Sequence, residues 1–143
     1  MKRLAWTGLV LVLGVGAAMA DGDAIAKRRA LMKDNGAATK TVVDMLKGAP
    51  FDLAAVQAAL KTYAAAAAQA PADFPDDSKT GDTNALPAIW DNKADFNARF
   101  VKLGQDAAAA AAAITDQASF KTQIPAVLKN CGGCHELYRA KKS

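Results

Sequence analysis

The chain has 143 residues, of which 18 are basic and 14 are acidic, so its formal net charge is +4 at neutral pH. This length suffices for one domain with one hydrophobic core, and so weak a positive charge excludes the strongly basic surface typical of nucleic-acid binding. Apolar residues make up 52% of the sequence, but much of that fraction is alanine.

Residues 1–20 have the pattern of a secretory signal peptide. Two basic residues precede an almost wholly apolar stretch over residues 4–17, and Ala18 and Ala20 place small side chains where a signal peptidase reads them. The apolar stretch is shorter than the ~20 residues needed to cross a membrane, which argues against an uncleaved anchor. We therefore expect cleavage after Ala20, export to the periplasm, and a mature domain over residues 21–143 without stable membrane insertion.

The mature chain begins with a predicted helix over residues 23–47. Ile25 and Met32 lie on an apolar stripe with helical spacing, and a Gly-Ala-Pro sequence follows the helix and should end it. Either Asp21 or Asp23 can cap its start.

A second helix is predicted to start with Asp52 as its cap and to continue to Pro71. The polar stretch from Pro71 to Pro87 has no periodicity and is expected to form a long loop. Asp91 is expected to cap the third helix, which ends in a run of alanines, the strongest helix formers.

Thr115 or Asp116 can cap a fourth helix, whose apolar stripe extends past Pro125 to Tyr138. Pro125 removes one backbone hydrogen bond and should bend this helix rather than end it. Four helices with no strand pattern predict an all-α fold, an antiparallel up-down-up-down four-helix bundle with a cofactor held among the helices.

The fourth helix carries the sequence Cys-Gly-Gly-Cys-His at residues 131–135, which holds both cysteines and the only histidine. Two thiols at this spacing can each add to a vinyl group of one haem, and the adjacent imidazole can bind the iron. The spacing therefore predicts one covalent haem c, with thioether bonds to Cys131 and Cys134 and with His135 as an axial ligand.

Three other uses of this sequence fit less well. A redox dithiol usually follows a strand at the start of a helix, and a structural zinc site needs four Cys or His ligands where this chain offers three. A disulfide between such near neighbours closes too short a loop to stabilise the fold much.

Met32 is the predicted second axial ligand of the iron. In this topology the end of the fourth helix lies beside the start of the first. At ~1.5 Å per residue, His135 is about 12 Å from the chain end and Met32 about 16 Å from the mature start, so their levels match. Met45 lies about 20 Å further along the helix and on another face. The alternative is a five-coordinate iron with Met32 packed over it as a core side chain.

Two arginines share helix faces with these ligands. Arg28 precedes Met32 by four residues and could bind a haem propionate, and Arg139 follows His135 by four residues and could lie near the imidazole or the haem edge. For each, a solvated surface side chain is the alternative.

These features together resemble the class II c-type cytochromes, the cytochrome c prime family. The resemblance covers the whole mature chain: a C-terminal haem motif followed by Tyr138-Arg139, an Arg-x-x-x-Met pattern from Arg28 to Met32, and Pro-Ala-Ile-Trp at residues 87–90. It implies that Arg28 contacts the haem, that Trp90 lies near the haem pocket, and that Met32 is the distal ligand of a low-spin branch of the family.

Two functions follow from this resemblance. A methionine-ligated iron fits a periplasmic electron-transfer protein that exchanges electrons with redox protein partners, whereas a five-coordinate iron fits a protein that binds NO or CO in gas binding or nitrosative-stress protection. An enzyme is not expected, because no second histidine or nucleophile accompanies the haem motif. By analogy with relatives, a homodimer could form through the first two helices.

Overall fold

The structure is a computed structural model that describes residues 16–141, with side chains from residue 23 onward. Its α-helices in chain order are α1 (Gly16–Leu46), α2 (Leu53–Gln69), α3 (Ala88–Asp91), α4 (Lys93–Ala113) and α5 (Gln117–Tyr138). Residues 16–141 contain no strand, and one isolated backbone bridge joins Ala85 to Arg139. The predicted all-α fold is therefore confirmed.

The four long helices, α1, α2, α4 and α5, form an antiparallel bundle. Contacts along successive long helices pair residues in opposite chain order. Thr39 of α1 meets Tyr63 of α2, and the earlier Arg28 meets Asp73, just beyond the end of α2. The same order holds for Gln57 with Ala111 and Ala67 with Gly104, and for Asp106 with Asn130 and Asp95 with Tyr138. This order confirms the up-down-up-down topology, because each long helix returns along the one before it.

Side-chain caps fix the starts of two helices as predicted. An oxygen of Asp52 accepts a hydrogen bond from the Ala55 amide at 3.1 Å, and Asp116 forms a reciprocal capping box with Ser119. At the end of α1, Gly48 has a backbone φ of 111°, in the left-handed region that glycine adopts without strain.

Two predicted caps are wrong. Helix α1 already begins at Gly16, so Asp23 lies inside the helix, where it pairs with Lys27 one turn later at 2.5 Å. Asp91 is the last residue of the short helix α3, and α4 starts after Asn92, whose side chain makes no capping bond. The φ of −131° and ψ of 51° at Asn92 interrupt the chain between the two helices.

The connection from α2 to α3 is more ordered than the predicted loop. It contains two short 3₁₀ helices, Ala70–Asp73 and Asp76–Ser78, and the side chain of Ser78 is fully buried. Phe74 is also buried, although the residues that follow it are mostly exposed. The ring of Phe74 and the hydroxyl of Ser78 therefore hold this connection against the bundle.

The core lies between the four long helices and includes large buried side chains from α2, α4 and α5, among them Tyr63, Phe96 and Phe120. On α1 the buried face differs from the predicted stripe, because Val42 and Met45 are buried while Met32 is only partly covered.

The predicted signal peptide, residues 1–20, lies mostly outside the described residues, and α1 runs across the predicted cleavage point after Ala20. In the part of the chain that is described, no helix has the length and apolar character needed to cross a membrane.

Candidate haem-binding site

Helix α5 presents the Cys-Gly-Gly-Cys-His sequence close to its C-terminal end. The capping box at its start and the unbroken helix across Pro125 carry the chain to Tyr138, three residues beyond His135. Cys131 and Cys134 are both half-buried and are not joined by a disulfide. Burial raises the pKa of each thiol, so both are protonated at neutral pH.

His135 is half-buried beside these thiols. Burial, and to a smaller extent the charge of Arg139, lower the pKa of its imidazole. The neutral form is therefore favoured, and the neutral imidazole is the form that binds metals.

A cleft of about 250 Å³ opens beside Cys134 and His135. It lies between α1, the connection that precedes α4, α4 itself and the end of α5. Its apolar wall consists of Phe74, Ile89, Phe96 and Phe100. Exposed residues, including Arg29, Asn84 and Arg139, line its mouth. The cleft therefore has an apolar interior and a polar opening, as ligand sites usually do.

Met32 and Met45 occupy different surroundings. Met32 lines the cleft together with His135, so the fold brings these two side chains to one cavity although they come from opposite ends of the mature chain. Met45 is 6% exposed and packs in the core. Of the two methionines among the described side chains, Met32 is the one that could reach a group bound beside His135.

Cys131 does not line the cleft. It lies one turn before Cys134, near Tyr63 of α2, which is fully buried and shares a 3.0 Å hydrogen bond with Thr39. Burial raises the pKa of Tyr63, and the charge of the nearby Cys131 adds to the increase. Of the two cysteines, Cys134 therefore lines the cleft, whereas Cys131 lies towards Tyr63.

Arg28 lies at the edge of the cleft and is 4% exposed. Its Nη1 donates to the Ser78 hydroxyl at 2.9 Å, and its Nη2 donates to the Ser78 carbonyl at 3.0 Å and to the Thr83 hydroxyl at 2.8 Å. The guanidinium carbon lies 4.9 Å from the centre of the Phe74 ring. Arg28 therefore holds the connection against α1, and its contact with a haem propionate stays a prediction.

We expect Arg28→Lys to lower the free energy of unfolding by about 1–3 kcal/mol, because a lysine cannot reproduce the planar fork and would leave buried acceptors unsatisfied. Urea unfolding of the haem-loaded protein measures this change. Arg29→Lys is the control, since Arg29 is exposed and its ion pair is with the exposed Asp82. Equal effects of the two substitutions would contradict this role for Arg28.

Trp90 and Arg139 lie at different distances from the cleft. The indole Nε1 of Trp90 donates to the Pro75 carbonyl at 3.0 Å, and its ring packs against Phe74 with 6.1 Å between centroids. Trp90 therefore borders the cleft through Phe74 and through Arg28, whose guanidinium carbon lies 5.9 Å from the centre of the Trp90 ring. Arg139 lines the mouth directly, and its charge acts on His135.

Several residues of this site escape the sequence reasoning. Phe74 and Ile89 could have been predicted, because each is an apolar residue in or beside a polar connection. Such residues often pack against the core. Asp95, Arg99 and their contacts with Tyr138 carry no local signal, because a charged pair four residues apart on a helix is usually a solvated surface pair.

These residues fit a covalent haem c. Two half-buried thiols and a neutral imidazole lie within five residues of one helix, and the cleft beside them has aromatic walls that suit a flat macrocycle. Cys131, Cys134 and His135 are the residues that could hold the haem, and Met32 lines the cleft beside Cys134 and His135.

Comparison with known proteins agrees with this site. The family model described as cytochrome C' matches residues 23–139. A cytochrome c' of Rhodopseudomonas palustris is 50% identical over 143 residues, which cover 99% of this chain and 98% of that protein. A cytochrome c-556 of Agrobacterium fabrum is 43% identical and covers 99% of this chain and 97% of its own.

A solved structure of cytochrome c' from Rhodopseudomonas palustris is also similar. It superposes with a TM-score of 0.82 at 52% identity and covers 85% of this chain and 98% of its own. The chain therefore belongs to the cytochrome c' family, which confirms the prediction of a single covalent haem c and the prediction that the protein is not an enzyme.

Proposed function

We propose that this protein is a periplasmic electron carrier whose haem iron is held by His135 and Met32, with the haem attached through Cys131 and Cys134. Haem c supplies an iron that passes between its ferrous and ferric states. The observation that carries the proposal is that Met32 and His135 line one cleft.

The chain's own residues suit this role. His135 is held neutral by burial, so its imidazole can stay bound to the iron at neutral pH. A thioether ligand from Met32 favours the ferrous form and raises the reduction potential. The apolar wall of Phe74, Phe96 and Phe100 excludes water, so little solvent has to reorganise when the charge of the site changes.

A second candidate function is binding of NO or CO at a five-coordinate iron. It is favoured by the 50% identity to a protein named cytochrome c' and by the apolar cleft, which could hold a small uncharged gas. In that case Met32 packs over the iron without binding it.

The optical spectrum of the purified ferric protein near neutral pH separates the two candidates. Methionine ligation produces a weak far-red absorption band, which arises from a sulfur-to-iron transition. The reduced protein should then bind CO poorly. A high-spin spectrum without this band, together with ready CO binding, would overturn the proposed electron-transfer function in favour of gas binding.

Export supports the periplasmic assignment. Proteins of this family are typically exported to the periplasm. The solved Rhodopseudomonas palustris cytochrome c' spans 85% of this chain, whereas the curated relative spans 99%. Removal of a leader ending at Ala20 would leave a mature chain of about this share of the sequence, and mass spectrometry of the mature N-terminus tests it.

The partners are part of the same proposal. Redox proteins of the periplasm would exchange electrons at the mouth of the cleft, where Arg29 and Arg139 are exposed. A homodimer would form through α1 and α2, along a surface groove of about 850 Å³ that several alanines line. The mass of the protein in solution tests the dimer.

A further inference from the structure

The last two turns of α5 are locally weak. Gly132 and Gly133 lie inside the helix, where glycine costs more backbone entropy than any other residue. The helix ends at Tyr138, so Cys134 and His135 lie in its final turns, where helices fray most easily. Contacts from outside α5 must therefore hold this segment in place.

Two side chains of α4, Asp95 and Arg99, supply such contacts, partly through Tyr138 at the end of α5. The Tyr138 hydroxyl donates to Oδ2 of Asp95 at 2.5 Å, and Nε of Arg99 donates to the same oxygen at 2.6 Å. Arg99 also reaches α5 directly, because its Nη1 donates to the Gly133 carbonyl at 3.4 Å and its guanidinium carbon lies 5.7 Å from the centre of the Tyr138 ring. Tyr138 itself is 5% exposed.

These contacts enclose the haem motif. Arg99 meets the residue immediately before Cys134, and Asp95 meets the residue three positions after His135. Beyond the helix, the Leu86 amide donates to the Tyr138 carbonyl at 3.0 Å, so the connection holds the chain on the other side. Asp95 is thus joined to both ends of the turn that carries Cys134 and His135.

The ion pair between Asp95 and Arg99 also affects the electrostatic environment of the haem motif. Nη1 of Arg99 lies 3.4 Å from the carbonyl oxygen of Gly133, the residue before Cys134, so its positive charge can act on a group attached to Cys134. The Asp95 carboxylate, 2.6 Å from Nε of Arg99, opposes that charge while it is ionised. Hydrogen bonds from Arg99 and Tyr138 keep the pKa of Asp95 below its ordinary value, so it stays ionised at neutral pH.

We propose that Asp95 is a positioning residue of the haem site, which holds the Cys134–His135 turn through Tyr138 and Arg99 and neutralises Arg99 beside the haem. This inference rests on the proposed attachment of the haem to this turn. It does not depend on whether Met32 binds the iron.

The test is Asp95→Asn in the haem-loaded protein, with two readouts. The midpoint potential should rise, because an uncompensated Arg99 disfavours the more positive ferric state. Hydrogen exchange of the amides in residues 134–139 should become about threefold faster or more, because the charged acceptor of two hydrogen bonds is lost.

Asp106→Asn is the matched control. Asp106 lies on the same helix, pairs with Lys102 at 2.6 Å and accepts a hydrogen bond from Asn130 of α5 at 2.7 Å, so it contacts α5 just before Cys131 and not at the Cys134–His135 turn. Both substitutions remove an ion pair and a contact between α4 and α5. Only Asp95→Asn should raise the potential and accelerate the exchange of residues 134–139, because Asp106 meets neither end of the Cys134–His135 turn.

Tyr138→Phe distinguishes the positioning of the Cys134–His135 turn from the effect of the Arg99 charge. It removes the hydroxyl but keeps Asp95 and Arg99, so exchange should accelerate while the potential rises less than in Asp95→Asn. The inference is wrong if Asp95→Asn leaves the potential at the value of the Asp106→Asn control, even if exchange changes. It is also wrong if Tyr138→Phe exchanges as slowly as the unsubstituted protein.

These outcomes differ from a failure of the proposed function. If Met32 does not bind the iron, the unsubstituted protein lacks the far-red band. The difference in potential between that protein and Asp95→Asn is measured independently of this band.

Discussion

A chain that carries both Cys131→Ala and Cys134→Ala is expected to retain no haem after denaturation. The two thiols are the only groups in the sequence at the spacing that forms paired thioether bonds, and both lie half-buried on one helix beside the cleft. Peroxidase staining of a denaturing gel measures the haem that stays on the chain. We expect the stain to disappear completely in the double variant.

Met32→Leu is the control for this experiment. It changes a side chain that lines the same cleft but takes no part in covalent attachment, so its stain should match that of the unsubstituted protein. Retention of stain by the double cysteine variant would contradict attachment through these residues.

Met32→Leu is in turn expected to convert a low-spin iron to a high-spin iron that binds CO readily. Leucine has nearly the volume of methionine, so the cleft stays filled, but it has no sulfur to bind the iron. The far-red band should be lost entirely. Optical spectra of the ferric protein, followed by CO addition to the reduced form, measure both changes.

Met45→Leu is the matched substitution. Met45 packs in the core, away from the cleft, so the same chemical change should leave the spectrum and the CO reaction unaltered. A spectrum altered by Met45→Leu and unaltered by Met32→Leu would reverse the assignment of the axial ligand and with it the topological argument.

Local patterns were sufficient to predict most helix ends. Asp52 and Asp116 cap α2 and α5 because a side-chain oxygen can reach an amide three residues later without help from the rest of the fold. The cap predicted at Asp91 was wrong, because the chain between Asp91 and the start of α4 is not regular helix. The short helix α3 uses that residue, and a turn at Asn92 separates it from α4, which periodicity alone does not reveal.

The orientation of α1 was less predictable. Apolar spacing placed Ile25 and Met32 on one buried stripe, and Ile25 is buried, but Met32 is only half-covered and Val42 and Met45 are the buried residues further along the helix. A helix that lines a cleft over one half of its length and a core over the other cannot be described by one stripe, because the two halves face different neighbours.

The surroundings of Arg28 illustrate what packing adds. Its place four residues before Met32 indicated a position near the cleft, and it does line the cleft. Its hydrogen bonds to Ser78 and Thr83 could not be anticipated, because they depend on how a polar connection of irregular structure folds back over α1.

By itself, the sequence determined the helices, the antiparallel order and the haem-attachment motif, since these depend on residue spacing over a few turns and on the number of segments. Only the tertiary structure decided which side chains wall the cleft and which ones hold the motif. Arg28 and Ser78 are 50 residues apart, and Asp95 and Tyr138 are 43 apart. Such pairs meet only when the helices pack, because no local preference of the chain brings them together.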